Sequence, residues 1–266
     1  MSLIVFSHAN SFPASTYRVL FKELKSRGFT VKAVEKYGHD PRYPISNNWP
    51  EVVRQLIDFA KGVVDKAGEP VWLVGHFLGG FLSLMAASQS PGLARGVVLV
   101  DSPILGGWRS AAVGMMKTTQ MFGSLSPGAV SRNRRNNWPS IEAAFEHFRH
   151  KRAFTKWDAS VLMDYVTHGT VEVEGRRMLS FDRHVETQFY NTVPDNLEQL
   201  LARSPLKCPV AFIGGLACRN EAGRHGHNRA DYQGTHHDAG RQPSVSHGKA
   251  DRYSCRNRSF AAQFRR

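Results

Sequence analysis

Cysteine is scarce in this sequence, which has only Cys208, Cys218 and Cys255 among its 266 residues. Their number is odd and their spacing contains no C-x-x-C pair, so neither a disulfide framework nor a redox motif of that type is indicated. Such sparse cysteine usage is typical of proteins from a reducing compartment. We therefore expect this protein to be cytoplasmic.

Long apolar runs are also absent. Residues 96–101, Gly-Val-Val-Leu-Val-Asp, form one of the longest runs, whereas a membrane-spanning helix needs about 20 apolar residues. The N-terminal residues 1–8 have no basic leader and too short an apolar run for a signal peptide. Neither His8 nor Asn10 has a partner at metal-ligand spacing, and no phosphate-binding Gly-x-x-x-x-Gly-Lys loop is present. We expect no membrane partner, no metal and no cofactor.

Positive charge is abundant but unevenly spread. Residues 216–266 hold ten Lys and Arg against four Asp and Glu, and so carry nearly half of the formal net charge of +13. The clusters Arg132–Arg135 and Arg149–Arg152 lack interleaved aromatic residues on which bases could stack. A solvated basic surface explains them better than a nucleic-acid site, so a nucleic-acid partner is not expected.

Apolar residues alternate between short continuous runs and stripes with helical period. The runs predict buried strands, and strands that alternate with helices predict an α/β fold with a mostly parallel, doubly wound sheet. Five strands are predicted at 3–6, 29–34, 70–75, 97–100 and 208–214. One helix is predicted to begin after Ser15 as its N-cap and to end at Gly28. Further helices are predicted at 53–64, 78–86 and 197–201.

The middle of the chain has a different pattern. From Ile104 to about Pro194 it predicts helices only, with Ser140 and Asp158 as N-caps. Residues 216–266 contain only Leu216 and Val245 among Leu, Ile, Val and Met, which is too little to bury a core face. We expect a core from 1–107 and 195–215, a helical cap at 108–194 and a disordered basic tail at 216–266.

One motif has the spacing of a catalytic element. Residues 75–80, Gly-His-Phe-Leu-Gly-Gly, lie between a predicted strand and a predicted helix, with small residues two positions before and two after the centre. This spacing is that of a nucleophile elbow, a tight strained turn that raises its central side chain above the sheet. The central residue is Phe77, whose ring cannot be deprotonated and cannot attack a carbonyl. Covalent catalysis from this position is therefore excluded.

The elbow resembles that of the α/β-hydrolase superfamily, which often has Gly-His-Ser-x-Gly-Gly here. Residues 8–13, His-Ala-Asn-Ser-Phe-Pro, resemble the oxyanion loop of that superfamily, and residues 99–103, Leu-Val-Asp-Ser-Pro, resemble its strand end after the elbow. The similarity covers residues 3–215. It implies a capped serine hydrolase of esterase type, with the backbone N–H groups of Asn10 and Leu78 as an oxyanion hole.

The resemblance also implies an acid and a histidine after the last strands, and this chain departs from the pattern there. The last strand and helix are not recognisable, so the catalytic histidine stays unassigned. Asp101 is either the acid or a turn-stabilising aspartate. The abrupt change in composition after Gly215 suggests a frameshift. Titratable residues available in the tail are His225, His227, His236, His237, His247, Glu221, Asp231 and Asp238.

Other polar residues near the elbow are interpreted as structural. His76 is expected to pack, Ser83 lies about 9 Å along the helix from the elbow centre, and Ser102 is expected to stabilise a loop. The first functional hypothesis is a relative of serine hydrolases acting on small-molecule acyl substrates, inactive because of Phe77. The alternative is a pseudoenzyme that binds a small molecule or protein without catalysis. The oligomeric state is not predicted.

Overall fold

The computed structural model describes residues 2–102 and 127–214. Within them, one parallel sheet consists of five strands, which are β1 (Leu3–Ser7), β2 (Thr30–Ala33), β3 (Val71–His76), β4 (Ala94–Val100) and β8 (Val210–Ile213). Their order in the sheet is β2-β1-β3-β4-β8, which confirms the α/β-hydrolase fold class with its mostly parallel sheet.

Helices connect these strands and cover both faces of the sheet. They are a 3-10 turn (Ala14–Tyr17), α1 (Arg18–Ser26), α2 (Pro50–Ala67), α3 (Leu78–Gln89), α4 (Pro127–Asn133), α5 (Ile141–Arg149), α6 (Ala159–Gly169), α7 (Arg183–Asn191) and α8 (Leu197–Arg203). The predicted strand and helix positions agree with these bounds to within a few residues. The exception is Ser15, which lies inside the 3-10 turn and hydrogen-bonds Glu35 instead of capping α1.

The main core lies between the sheet and the α2–α3 pair. The apolar stripe of α2 is fully buried at Val53, Leu56 and Ala60, as its helical periodicity predicts. Pro50 starts this helix and Gly68, with a φ of 72°, ends it, because proline suits the first turn and glycine adopts the left-handed C-cap without strain. A smaller cluster beneath α1 covers the opposite face of β1.

The expectation of helices only between 104 and 194 is wrong. A three-stranded antiparallel sheet lies there, with β7 (Arg176–Leu179) between β5 (Asn137–Trp138) and β6 (Thr170–Val173). Glu174 and Gly175 both have positive φ, which is the geometry of a two-residue hairpin turn. The glycine at position 175, between two short segments rich in β-branched and other strand-compatible residues, is the sequence feature that indicates this turn.

The predicted N-caps of this region are confirmed. The Ser140 side chain accepts a hydrogen bond from the N–H of Ala143 at the start of α5, and the Asp158 side chain accepts one from Ser160 at the start of α6. Side-chain caps of this type satisfy N–H groups that have no partner within the helix.

Two parts of the predicted domain plan lie outside the described residues. These are 103–126, within the segment assigned to the start of the cap, and 215–266, which includes the tail that was predicted to be disordered and every tail histidine. The expectation that the last strand and helix are not formed falls on the same undescribed residues. The boundaries of the cap at 108–194 therefore stay a prediction. Among the described helices, none is long and apolar enough to cross a membrane.

We predict that Ser140→Ala lowers the free energy of unfolding by about 1 kcal/mol, because the first turn of α5 loses its side-chain cap. Urea denaturation followed by circular dichroism measures the change. The control is Ser26→Ala at the exposed end of α1, where the hydroxyl only donates back to Glu23 and a change within about 0.5 kcal/mol is expected. Equal losses in both variants would contradict the capping role.

Candidate active site at the strand-to-helix elbow

The turn from β3 to α3 places Phe77 in a strained conformation. Phe77 has a φ of 49° and a ψ of −108°, a region that non-glycine residues rarely adopt. Its N–H donates to the carbonyl of Val100 at 3.0 Å, and its carbonyl accepts from the N–H of Gly80 at 3.0 Å and from the hydroxyl of Ser102 at 3.1 Å. Three hydrogen bonds thus hold the residue that the sequence predicts at the elbow centre.

The glycines around the elbow are required because a side chain at these positions would collide with neighbouring atoms. A Cβ on Gly75 would collide with the backbone of Gly79, and a Cβ on Gly79 would collide with the carbonyl of Ser7 at the end of β1. A Cβ on Gly80 would collide with the side chain of Ser102. The small residues of the motif therefore allow β1, the elbow and the end of β4 to approach one another closely.

The loop that follows β1 is fixed by buried hydrogen bonds. The Nδ1–H of His8 donates to the carbonyl of Ala9 at 2.8 Å, and its Nε2 accepts from the N–H of Tyr37 at 3.0 Å. This pairing requires the neutral imidazole. Burial lowers the pKa of His8 to about 4 despite the opposing bond to Ala9, so His8 is neutral at pH 7. His8 therefore fixes the loop after β1 as a buried, neutral residue.

Tyr17 connects that loop to the elbow, a contact that sequence reasoning did not foresee. The Tyr17 hydroxyl accepts from the N–H of Ala9 at 3.0 Å and lies 2.8 Å from Nδ1 of His76. Burial lowers the pKa of His76 to about 4, although the nearby Asp101 carboxylate opposes the shift. His76 therefore packs as a neutral residue, in agreement with its structural interpretation.

The structure brings three of the predicted site residues together. Asn10, Phe77 and Leu78 line one small cavity of about 20 Å³, which is room for about one water molecule. The remaining wall is largely apolar and aromatic and consists of Trp49, Phe81, Phe189, Tyr190 and Val193. The assignment of the Asn10 and Leu78 N–H groups as an oxyanion hole stays a prediction, which their shared position next to Phe77 supports.

Asp101, Ser83 and Ser102 do not line this cavity. Asp101 is exposed at the end of β4, has a φ of 46°, and its N–H donates to the carbonyl of Ile213 at 2.7 Å. Its role as acid stays a prediction. Ser102 is buried and its hydroxyl supports the elbow carbonyl, and Ser83 is fully buried in α3. Neither serine side chain is available as a replacement nucleophile.

Comparison with known proteins agrees with this geometry. A model described as "Alpha/beta hydrolase family" matches residues 4–236. Monoglyceride lipase from Rattus norvegicus is 30% identical over 115 residues, which cover 42% of this chain and 38% of the relative. The match therefore spans only about two fifths of that curated relative.

Solved structures share the fold at low sequence identity. E-2-(Acetamidomethylene)succinate hydrolase superposes with a TM-score of 0.58 at 20% identity, covering 84% of this chain and 79% of that chain. A peroxisomal alpha-beta-hydrolase from Saccharomyces cerevisiae gives a TM-score of 0.59 at 14% identity, covering 80% of this chain and 62% of that chain. These likenesses concern the fold alone.

We predict that Gly79→Ala lowers the free energy of unfolding by about 3 kcal/mol, because its new Cβ meets the backbone of Ser7, which cannot move without displacing β1. Urea denaturation is the measurement. The matched control is Gly62→Ala inside α2, where the added methyl meets open space and should stabilise by about 0.5–1 kcal/mol. Similar behaviour of the two variants would contradict the close approach at the elbow.

The neutral state of His8 predicts a dependence of stability on pH. The unfolded chain binds a proton at this imidazole near pH 6.5, but the folded chain binds it only near pH 4. Stability from this group is thus complete above pH 6.5 and is lost as the pH falls from there towards 4. Between pH 7 and pH 5 the loss should be about 1–2 kcal/mol.

This loss is measured by urea denaturation at both pH values. In His8→Gln the difference between pH 7 and pH 5 should shrink by about that amount. In the control Ser26→Ala, which changes an exposed hydroxyl and leaves every histidine in place, the difference should match the parent chain. An unchanged difference in His8→Gln would show that His8 is not the titrating group.

Proposed function

The chain belongs to the α/β-hydrolase family, and we propose that its parent activity is serine-dependent hydrolysis of an ester or other acyl substrate. In this proposal the chain is itself inactive because Phe77 occupies the nucleophile position. The observation that carries the proposal is the strained Phe77 backbone, held by three hydrogen bonds and enclosed by three obligatory glycines. A turn of this kind costs about 1–3 kcal/mol, and an elbow that must present a nucleophile accounts for that cost.

The mechanism that this geometry supports is acyl transfer. A serine hydroxyl at position 77 would pass its proton to a base and attack the carbonyl carbon of a bound ester, and the N–H groups of Asn10 and Leu78 would stabilise the negative charge that forms on the carbonyl oxygen. The alcohol would then leave with that proton, and water would release the acid from the acylated serine. Both are backbone donors, so a change of side chain at position 77 leaves them in place. The phenyl ring supplies no lone pair for the attack, and the reaction stops before the first covalent bond.

The lining of the cavity supports a fatty or otherwise apolar acyl group as the bound part of the substrate. Trp49, Phe81 and Phe189 present aromatic carbon at the elbow, and apolar surface binds an acyl chain by removing it from water. The matched relatives from Rattus norvegicus and Homo sapiens are monoglyceride lipases. We therefore propose a fatty acyl ester of a small alcohol as the substrate of the parent enzyme.

Further features belong to this proposal. Residues 108–194 would act as a cap over the elbow, and the protein would work in the cytoplasm without a cofactor. The acid and base of the parent enzyme would come from Asp101 or from residues 216–266. The alternative is a pseudoenzyme that binds a small molecule or a protein without catalysis, and a Phe77→Ser chain that hydrolyses no ester would favour it.

We predict that the purified chain does not hydrolyse p-nitrophenyl butyrate above the buffer rate, and that Phe77→Ser exceeds it at least about 10³-fold. The restored hydroxyl supplies the nucleophile that the phenyl ring lacks, and its activation by a general base, which contributes about 10²–10⁴-fold, is a gain that Phe77→Ala cannot make. Release of p-nitrophenolate, followed by its absorbance over a range of substrate concentrations, measures both rates.

The control is Phe77→Ala, which opens the cavity without adding a hydroxyl and should stay at the rate of the parent chain. Hydrolysis by the parent chain at the rate of Phe77→Ser would contradict the proposed inactivity. Equal rates in Phe77→Ser and Phe77→Ala would contradict the assignment of position 77 as the nucleophile position.

A further inference from the structure

A buried ion pair lies beside the loop that follows β1. Nε of Arg134, just after α4, is 3.0 Å from Oε2 of Glu186 in α7, and their side chains are 24% and 6% exposed. Burial raises the pKa of Glu186, while the guanidinium of Arg134 opposes the shift. Buried pairs of this kind contribute little net stability, because desolvation offsets most of their attraction. The pair therefore calls for a reason other than stability.

Arg134 contacts this loop through its side chain, and Glu186 contacts it through its backbone carbonyl. The Nη2–H of Arg134 donates to the hydroxyl of Ser11 at 2.7 Å, and the side-chain amide of Asn10 donates to the backbone carbonyl of Glu186 at 3.1 Å. Asn10 carries the N–H that the oxyanion hole needs. Ser11 has a left-handed φ of 71°, which a non-glycine residue keeps only when its surroundings impose it.

The support behind the pair is itself fixed. Arg183 donates to the backbone carbonyl of Arg134 at 2.9 Å. The hydroxyls of Ser131 in α4 and Thr187 in α7 are 2.8 Å apart and both are buried. The two helices thus form one packed unit, and the planar guanidinium of Arg134 extends from it towards the loop with fixed geometry.

We propose that Arg134 and Glu186 are positioning residues that hold the loop at residues 8–12, and with it the N–H of Asn10, in the orientation of an oxyanion donor. The role of the Asn10 N–H as an oxyanion donor rests on the proposed function, whereas the restraint that the pair places on the loop does not. The pair acts from the side of α4 and α7. His8 and Tyr17 hold the same loop from the side of the sheet.

The test is amide hydrogen exchange of the full chain, followed by mass spectrometry of peptic peptides. Arg134→Lys keeps the positive charge but loses the planar fork that reaches Glu186 and Ser11 together, and Glu186→Gln removes the charge of the acceptor. We expect exchange of the peptide that covers residues 8–12 to become at least tenfold faster in both variants. Exchange of peptides from α2 and β3 should stay at the rates of the parent chain.

The matched control is Arg42→Lys. Arg42 is exposed and donates to Asp40 through two guanidinium nitrogens, and its replacement should leave the exchange rate of residues 8–12 unchanged. A merely structural role of Arg134 predicts faster exchange in α2 and β3 in parallel with the loop. That result, or an unchanged loop in both variants, would overturn the proposal.

A second measurement separates this proposal from the proposed function. In the Phe77→Ser background, Arg134→Lys should lower kcat about tenfold and leave KM unchanged, because the donor acts on the charge that forms during the reaction. If Phe77→Ser shows no hydrolysis but Arg134→Lys still makes amide exchange of the loop faster, only the hydrolase function is rejected. An active Phe77→Ser chain whose kcat does not change with Arg134→Lys would reject the positioning role alone.

Discussion

The close approach of β1, the elbow and the end of β4 is the constraint on which the rest of the site depends. Gly79 lies against the carbonyl of Ser7, and Gly80 lies against the side chain of Ser102, so the elbow contacts both segments with no side chain of its own at residues 79 and 80. The turn that results places residue 77 at a positive φ next to the loop after β1. A phenylalanine keeps this conformation because the surrounding backbone hydrogen bonds outweigh the local strain.

The arrangement explains how the elbow and the loop after β1 keep their form with a phenylalanine at residue 77. The groups that hold the loop are His8, Tyr17 and Tyr37 on one side and Arg134 and Glu186 on the other. None of these contacts uses the side chain of residue 77. The ring packs instead against the apolar core beside it, so the contacts that hold the loop do not depend on the side chain of residue 77.

Much of the fold follows from local patterns in the sequence. The strands of the parallel sheet and α2 follow from apolar runs and from helical periodicity, and the elbow follows from small residues at fixed spacing around Phe77. The hairpin at Glu174 and Gly175 was missed because its strands are short and gain their stability from partners such as β5. Two-residue strands such as β5 leave no periodic signal.

The site was predictable only in part, for a different reason. Asn10, Phe77 and Leu78 could be placed together because each belongs to a motif at a strand end. The contact between Asn10 and Glu186 joins residues 176 positions apart, and no local pattern indicates it. No local pattern indicates that the hydroxyl of Tyr17 links Ala9 to His76.

The most direct test of the central claim, an elbow that is intact but without a nucleophile, is the intact mass of the chain after exposure to a fluorophosphonate. Such reagents phosphonylate an activated serine and do not react with a phenyl ring. We predict that the mass of the chain does not change. A stoichiometric adduct on Ser102, or on any serine in contact with the elbow, would show that the chain has another nucleophile and would contradict the account.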